Sequence, residues 1–134
     1  MKKIIAYTDG ASRGNPGKAG IGIALFNEEG EMIKEISDYI GETTNNIAEY
    51  TALVVALKAA LEMECEEIEL VLDSELIVKQ IKGEYRVKNQ GLKPLYQEAV
   101  KLLDQFKSYS IRHVRRENNK KADKLANRGI DEAI

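Results

Sequence analysis

The chain has 134 residues, of which 20 are basic and 22 acidic, and its formal net charge is −2. This length and a hydrophobic fraction of 43% are ordinary for a globular protein, so we expect one compact domain over residues 1–134 and exclude a disordered or fibrous chain. The apolar run 52–57 is too short to cross a bilayer, and we expect a cytoplasmic protein without membrane contact. The net charge excludes indiscriminate attraction to a polyanion, so any affinity for nucleic acid must be local.

The first half of the chain predicts three strands and a long helix. Residues 4–8, 20–26 and 32–40 are predicted to form an antiparallel meander, because glycine and asparagine turns separate them. Residues 46–61 are apolar around nearly the whole circumference of a helix, with Glu49 one of the few exceptions. We therefore expect this helix to be largely buried.

The second half predicts strands and helices in alternation. The predicted elements are a strand at 68–72, helices at 75–82 and 92–106, a strand at 109–114 and a helix at 119–129. Together with the meander, this order predicts an α/β fold in which a five-stranded mixed sheet carries helices on both faces.

Four acidic residues each have an ordinary structural explanation when taken alone. Asp9 precedes a glycine and fits a turn, and Glu49 fits a capping box at the start of its helix. Asp73 follows a strand and fits a helix cap, while Asp123 fits a surface ion pair with the lysines beside it. No single one of these positions indicates a chemical site.

The joint arrangement of the acids changes this interpretation. Asp9 and Asp73 end strands that should be neighbours in the sheet, and Glu49 belongs to a buried helix, so the three can share one cavity. Carboxylates about 5 Å apart repel by roughly 3 kcal/mol per pair at an effective dielectric near 20, and a divalent cation removes that repulsion. Ligand sets of carboxylates without Cys or His suit Mg²⁺, which completes its shell with water and substrate phosphates. The acids together predict metal-dependent phosphate chemistry.

Four stretches of the chain carry a resemblance to a known family. They are YTDGASRGNPG at 7–17, TNNIAEY at 44–50, LDS at 72–74 and ADKLA at 122–126. In this order they resemble type 1 ribonuclease H over nearly the whole chain, which implies the ribonuclease H-like fold. The resemblance implies an endonuclease that hydrolyses the RNA strand of RNA/DNA hybrids, leaving 5'-phosphate and 3'-hydroxyl ends. It also implies that the catalytic residues hold two Mg²⁺ ions, for which Mn²⁺ can substitute; these residues are Asp9, Glu49, Asp73 and Asp123.

The same resemblance implies a set of contacts with the hybrid. The set is Ser12, Gly14, Asn15, Thr44, Asn45, Asn46 and Arg116. The turn at 12–15 offers backbone N–H groups, and the asparagine amides suit the minor groove, where 2'-hydroxyls distinguish RNA. Thr44 resembles the family position that binds a DNA-strand phosphate at the amino end of the long helix. In the alternative interpretation, the polar residues at 44–46 only cap that helix.

The chain departs from the family in its basic residues. Many members carry a basic helix and loop after the helix that follows the third acid, whereas here the basic residues lie in a short connection, 83–92, without tryptophan. Affinity for hybrid is then weak, or comes from a partner or from another basic group. That group is Arg112, Arg115, Arg116, Lys120 and Lys121. In the alternative interpretation, these five residues only form a charged surface that faces solvent.

His113 is the only histidine, and the family uses a mobile histidine in a loop near the last acid. Here His113 falls inside the predicted strand at 109–114, so we predict a structural role for it. Arg116 or Glu117 occupies the loop instead. Arginine keeps its proton at working pH, so Arg116 can stabilise phosphate charge but cannot act as a general base.

Two other functions remain open on the sequence alone. One is a nuclease of the same fold that acts on double-stranded RNA or on DNA, since fold alone does not fix the substrate. The other is a non-catalytic nucleic-acid-binding module, against which the four acids argue, because a binder that faces phosphates gains nothing from four negative charges. The expected partner is an RNA/DNA hybrid, bound by a monomer.

Overall fold

The computed structural model describes residues 1–133 and contains one five-stranded sheet in the order β3-β2-β1-β4-β5. The strands are β1 (Lys3–Gly14), β2 (Gly17–Phe26), β3 (Met32–Thr43), β4 (Glu67–Leu72) and β5 (Ser108–His113). The first three pair antiparallel, whereas β4 pairs in parallel with both β1 and β5. The predicted mixed sheet of five strands is confirmed.

Helices cover both faces of this sheet, as predicted. They are α1 (Asn45–Glu62), α2 (Glu75–Ile81), α3 (Lys93–Leu103) and α4 (Lys120–Asp131), and a short 3-10 helix spans Arg116–Asn118. Helix α1 packs on β1, β2 and α3, and α4 packs on β1, β2 and β3 from the opposite side. None of the helices within residues 1–133 combines the length and apolar character that crossing a membrane requires.

The main core lies between α1 and the sheet. Tyr50, Leu53 and Leu57 of α1 are fully buried, as are Ile4 of β1 and Ile23 of β2. The prediction of a largely buried helix is confirmed. This packing places the first turn of α1 against the middle of β1, where the acidic residues lie.

The approach of α4 to the sheet depends on glycine. A Cβ atom at Gly22 would overlap the carbonyl oxygen of Ala122, and one at Gly20 would overlap that of Ala126. Because these two strand positions lack side chains, the backbone of α4 lies directly on β2. Asp123, on the first turn of α4, is thereby brought to the sheet.

Several predicted boundaries in the meander are wrong. Strand β1 continues past residue 8 to Gly14, and β2 begins at Gly17 instead of residue 20, because their pairing runs to the tight turn between them. Strand β3 reaches Thr43 instead of residue 40, because it stays paired with the start of β2. Ser12 therefore lies in a strand and not in a turn.

The other elements differ from the predictions by a few residues. The predicted helix 92–106 ends earlier, at Leu103, after which a turn leads into β5. Strand β5 lies one residue nearer the amino terminus than predicted, and α4 ends two residues later than predicted, at Asp131. These shifts leave the predicted order of elements unchanged.

Candidate active site

Three acidic side chains meet at one edge of the sheet. Asp9 lies in β1 and Asp73 follows β4, and the parallel register of these strands aligns Thr8 with Leu72, so the two acids are neighbours. Glu49 reaches them from α1. Oxygen atoms of the three carboxylates lie within 4.8 Å of one another. The convergence that the sequence predicted for these acids is confirmed.

The ordinary structural explanations fail for two of these acids. Thr44 is the N-cap of α1 and accepts a hydrogen bond from the Ile47 N–H at 3.3 Å, while the Glu49 carboxylate accepts one from the Gly10 N–H. Ser74 caps α2 in the same way, so Asp73 is not the cap. Both carboxylates therefore belong to the cluster.

Asp123 stands beside this group of three and is held by other partners. The carboxylate of this half-buried residue lies 3.5 Å from a guanidinium nitrogen of Arg116, in place of the lysine pair that its surroundings suggested. The Asn127 amide donates to the Asp123 carbonyl at 3.0 Å and lies 3.4 Å from its carboxylate. The fourth predicted acid therefore lies outside the group of three converging carboxylates, although hydrogen bonding with Asp123 contributes to the raised pKa of Asp9.

Burial makes ionisation of the cluster unfavourable. Only 5% of Asp9 and 4% of Glu49 is exposed. Desolvation raises the pKa of Asp9 well above its usual range, and the hydrogen bond and charge of Glu49 raise it further. Burial also raises the pKa of Glu49 and of Asp73, although the Asn119 amide and Arg116 oppose the shift at Asp73. The cluster therefore favours a neutralising partner, either a proton or a cation.

The donor set fits a hard divalent cation. All the converging donors are carboxylate oxygens, which Mg²⁺ and Mn²⁺ prefer, and the soft or imidazole donors typical of zinc sites do not take part in the group. The three converging acids can hold such a metal in the lining of a cleft.

Two adjoining clefts contain all the predicted substrate contacts except Gly14, which lines neither of them. The first, of about 440 Å³, holds the three converging acids together with Ser12, Asn45 and Arg116. The second, of about 420 Å³, is lined by Asn15, Thr44, Asn45 and Asn46. Asn45 lines both, so the two clefts form one continuous surface.

Hydrogen bonds connect the first turn of the chain to this surface. The Asn15 side-chain oxygen accepts from the backbone N–H of Asn45 at 3.0 Å, and the Ser12 hydroxyl donates to the Thr43 carbonyl at 3.0 Å. Gly14 has a φ of 111°, a conformation that favours glycine. These contacts fix the turn at 14–17 beside the start of α1.

Sequence reasoning missed four polar or charged side chains at these clefts. They are Arg13, Ser74 and Asn127 in the first cleft and Asn89 in the second. Arg13 lies in the family-like stretch 7–17, and Ser74 in the stretch 72–74, so both could have been found. Nothing in the sequence pointed to Asn89 or Asn127.

Most members of the predicted basic group are paired with acids. Arg112 lies 3.2 Å from Glu69, and Lys121 lies 3.1 Å from Glu35. Arg116 contacts Asp123, as described above. This pairing favours the interpretation that Arg112 and Lys121 belong to a charged surface exposed to solvent. Arg116 is the member of the group that lines the acidic cleft.

Known proteins resemble the chain in both sequence and structure. The sequence model of the Reverse transcriptase-like family matches residues 7–129. Ribonuclease HI of Halobacterium salinarum is 44% identical over 98% of this chain, and a crystal structure of its RNase H1 superposes with a TM-score of 0.95 over 99% of that structure's chain. A ribonuclease H of Pseudomonas entomophila is 38% identical over 94% of this chain and 92% of its own length.

A further solved relative contains a nucleic acid. LC11-RNase H1, isolated from compost, was crystallised with an RNA/DNA hybrid; it is 45% identical, with a TM-score of 0.91 over 97% of this chain and 98% of its own. The chain spans 66% of the length of the Halobacterium enzyme and 36% of the bifunctional protein Rv2228c of Mycobacterium tuberculosis, to which it is 38% identical. From the agreement in sequence, fold and acidic cluster, the chain belongs to the ribonuclease H family.

Proposed function

We propose that the chain is a metal-dependent endoribonuclease that hydrolyses the RNA strand of RNA/DNA hybrids and leaves 5'-phosphate and 3'-hydroxyl ends. The observation that carries this proposal is the convergence of the Asp9, Glu49 and Asp73 carboxylates within 4.8 Å in the lining of a cleft. Two kinds of relative support it: proteins named ribonuclease H, and LC11-RNase H1, which was solved with a hybrid.

The four acids would hold two Mg²⁺ ions, with Mn²⁺ as a substitute. Divalent ions bound beside a phosphodiester activate the attacking water and stabilise the leaving oxygen, so no protein nucleophile is required. The chain contributes the ligands, which are Asp9, Glu49, Asp73 and Asp123. Arg116 adds a fixed positive charge at the same cleft, where its largely exposed guanidinium can contact a substrate phosphate.

The second cleft supports selection of the hybrid. Asn15, Asn45 and Asn46 present amide groups that can both donate to and accept from 2'-hydroxyls of the RNA strand. Ser12 and Gly14 lie at the adjoining turn. Thr44 lies at the amino end of α1, whose 18 residues direct the positive end of the helix dipole toward a DNA-strand phosphate. Capping by Thr44 is compatible with this role, because one cap leaves other helix N–H groups available.

Cleavage of a modified hybrid tests metal, strand and sugar together. We expect Mg²⁺-dependent cutting of an RNA strand paired with DNA, no cutting inside a short 2'-deoxy patch in that strand, and no cutting in EDTA. Duplex RNA and duplex DNA of the same sequence are the controls. Equal cutting of all three duplexes would contradict hybrid specificity and favour a broader nuclease, and absence of hydrolysis in millimolar Mg²⁺ would favour a binding module.

The position of His113 gives a separate prediction. His113 is the last residue of β5, is exposed, and lines a different cleft together with Glu75 and Lys79. We expect His113→Ala to lose far less activity on hybrid than Asp73→Asn, well below the roughly 100-fold loss that removal of a general acid or base causes. Turnover numbers measured for both variants under saturating Mg²⁺ check this. Near-equal losses would give His113 a direct role in the reaction.

A further inference from the structure

Asn119 connects the parts of the chain that carry Asp9 and Asp123. The residue lies between the short 3-10 helix and α4, and only 1% of it is exposed. Its side-chain amide donates to the carbonyl oxygen of Thr8 at 2.9 Å, across 111 positions of sequence. Thr8 directly precedes Asp9, so this bond fixes the backbone of β1 at the acidic cluster.

Asn119 also begins the helix that carries Asp123. Its backbone carbonyl accepts the first helical hydrogen bond of α4, from the Asp123 N–H at 3.1 Å. Hydrogen bonding by its side-chain amide lowers the pKa of Asp73 and so opposes the effect of burial. The Asn119 side chain therefore links the backbone beside Asp9 to the start of the helix that carries Asp123.

Local stability does not explain this arrangement. Asn119 occupies the N-cap position of α4, where an asparagine side chain commonly contributes about 1 kcal/mol, yet it forms no capping bond there. Its side-chain oxygen is buried and has no hydrogen-bond partner among residues 1–133. An unsatisfied buried acceptor costs roughly 1–3 kcal/mol. The Asn119 side chain therefore bonds to the backbone beside Asp9 and leaves the amino end of α4 without a side-chain cap.

We propose that Asn119 is a positioning residue that holds the segments of Asp9 and Asp123 in one fixed arrangement, so that a divalent cation meets a preformed set of ligands. Mg²⁺ tolerates little distortion of its octahedral shell, so small shifts of the ligands weaken its binding. Partners that orient metal ligands typically contribute 10-fold to 100-fold to affinity or activity. The expected effect on turnover rests on the proposed function, whereas the expected effect on cation affinity does not require catalysis.

Two substitutions and one control separate positioning from packing. Asn119→Leu keeps the branched shape and the number of heavy atoms of the side chain, although its volume is larger. It removes the donor and also the unsatisfied oxygen, so the loss of one hydrogen bond is offset in part by the loss of an unpaired acceptor. Asn119→Ala is the second variant, and serves alone if the leucine variant does not fold. Asn118→Ala changes the exposed neighbouring asparagine and is the matched control.

Cation binding to the full chain without substrate gives the decisive measurement. By calorimetry with Mn²⁺, well below the unfolding temperature of each variant, we expect both Asn119 variants to bind roughly 10-fold to 100-fold more weakly than the parent and the control. On hybrid, we expect the turnover number to fall and KM for the hybrid to change by less than about twofold, because the substrate contacts stay in place.

Each other outcome has a definite meaning. Unchanged Mn²⁺ affinity and turnover in the variants, with only a lower unfolding midpoint, would make Asn119 a structural residue and overturn the inference. A parent protein that binds Mn²⁺ but does not cut hybrid would contradict the proposed function, while the affinities of the variants would still decide the positioning role. Equal weakening in Asn118→Ala would also overturn the inference, since that residue lacks these contacts.

Discussion

Asp9→Asn is expected to reduce hydrolysis of the RNA strand by about 1,000-fold or more. Asp9 is one of the three acids whose carboxylate oxygens lie within 4.8 Å of one another, and Glu49 and Asp73 both raise its pKa. Asparagine keeps the size and shape of the side chain but removes the negative charge. The loss of a ligand from a metal that contributes several kcal/mol of transition-state stabilisation corresponds to a factor of this order.

Single-turnover cleavage of a labelled hybrid in saturating Mg²⁺ measures this loss. Asp104→Asn is a matched control, because Asp104 is an exposed acid at the end of α3, on an element that does not line the acidic cleft. We expect the control to cut at the parental rate. A loss of less than about tenfold in Asp9→Asn would show that Asp9 is not an essential ligand.

The same substitution is expected to stabilise the metal-free protein at pH 8 by about 1–3 kcal/mol. In the unfolded chain Asp9 is ionised at pH 8, whereas burial and the neighbouring acids disfavour its charged form in the folded protein and raise its pKa. Folding therefore has to overcome this penalty, and asparagine, which is neutral in both states, removes it. A change that abolishes activity would then increase stability, as expected where function imposes strain on a fold.

The dependence of stability on pH follows from the direction of the pKa shifts. The pKa values of Asp9, Glu49 and Asp73 lie above their ordinary values of 3.8 and 4.5 in the folded protein. Above those ordinary values the folded state therefore binds more protons than the unfolded state, so the free energy of unfolding decreases as pH rises through the folded pKa values. In EDTA we expect the parent to lose stability between pH 5 and pH 8, and Asp9→Asn to lose less.

Urea unfolding in EDTA at pH 5 and pH 8 tests both statements. Addition of Mg²⁺ at pH 8 should raise the unfolding midpoint of the parent, because a ligand that binds only the folded state stabilises it. The midpoint of Asp9→Asn should respond less. A metal-free Asp9→Asn protein that is less stable than the parent at pH 8 would mean that the carboxylate forms favourable contacts that outweigh the repulsion.

The sequence predicted the elements well where the pattern is local. The residue patterns of the strands and the apolar circumference of α1 are properties of short segments. The sequence predicted both, and with them the order of the elements. The ends of the meander were not, because residues such as Gly14 and Gly17 look like turn residues although sheet pairing continues through them. Pairing across strands is a tertiary effect, which a one-dimensional pattern does not contain.

The candidate site likewise contains features that the sequence predicted and features that it did not. Asp9 and Asp73 could be placed together, because parallel neighbouring strands end at one edge of a sheet. The partners of Asp123 could not, since they depend on the docking of α4, which two strand glycines permit. In the sequence, Asn119 was recognisable only as the first residue of a predicted helix. Its bond to Thr8 spans most of the chain, and no spacing rule predicts such a contact.

We expect the carboxylates within β1 and directly after β4 to determine the order of assembly. A nucleic-acid backbone that approaches these acids in their ionised form without divalent ions meets charges of its own sign, and monovalent salt only screens that repulsion. Divalent ions bound there would reverse the sign of the local field. On the proposed function, tight docking of a duplex over the acids then requires ions already in the cleft, so we expect the cation to bind first and the duplex second.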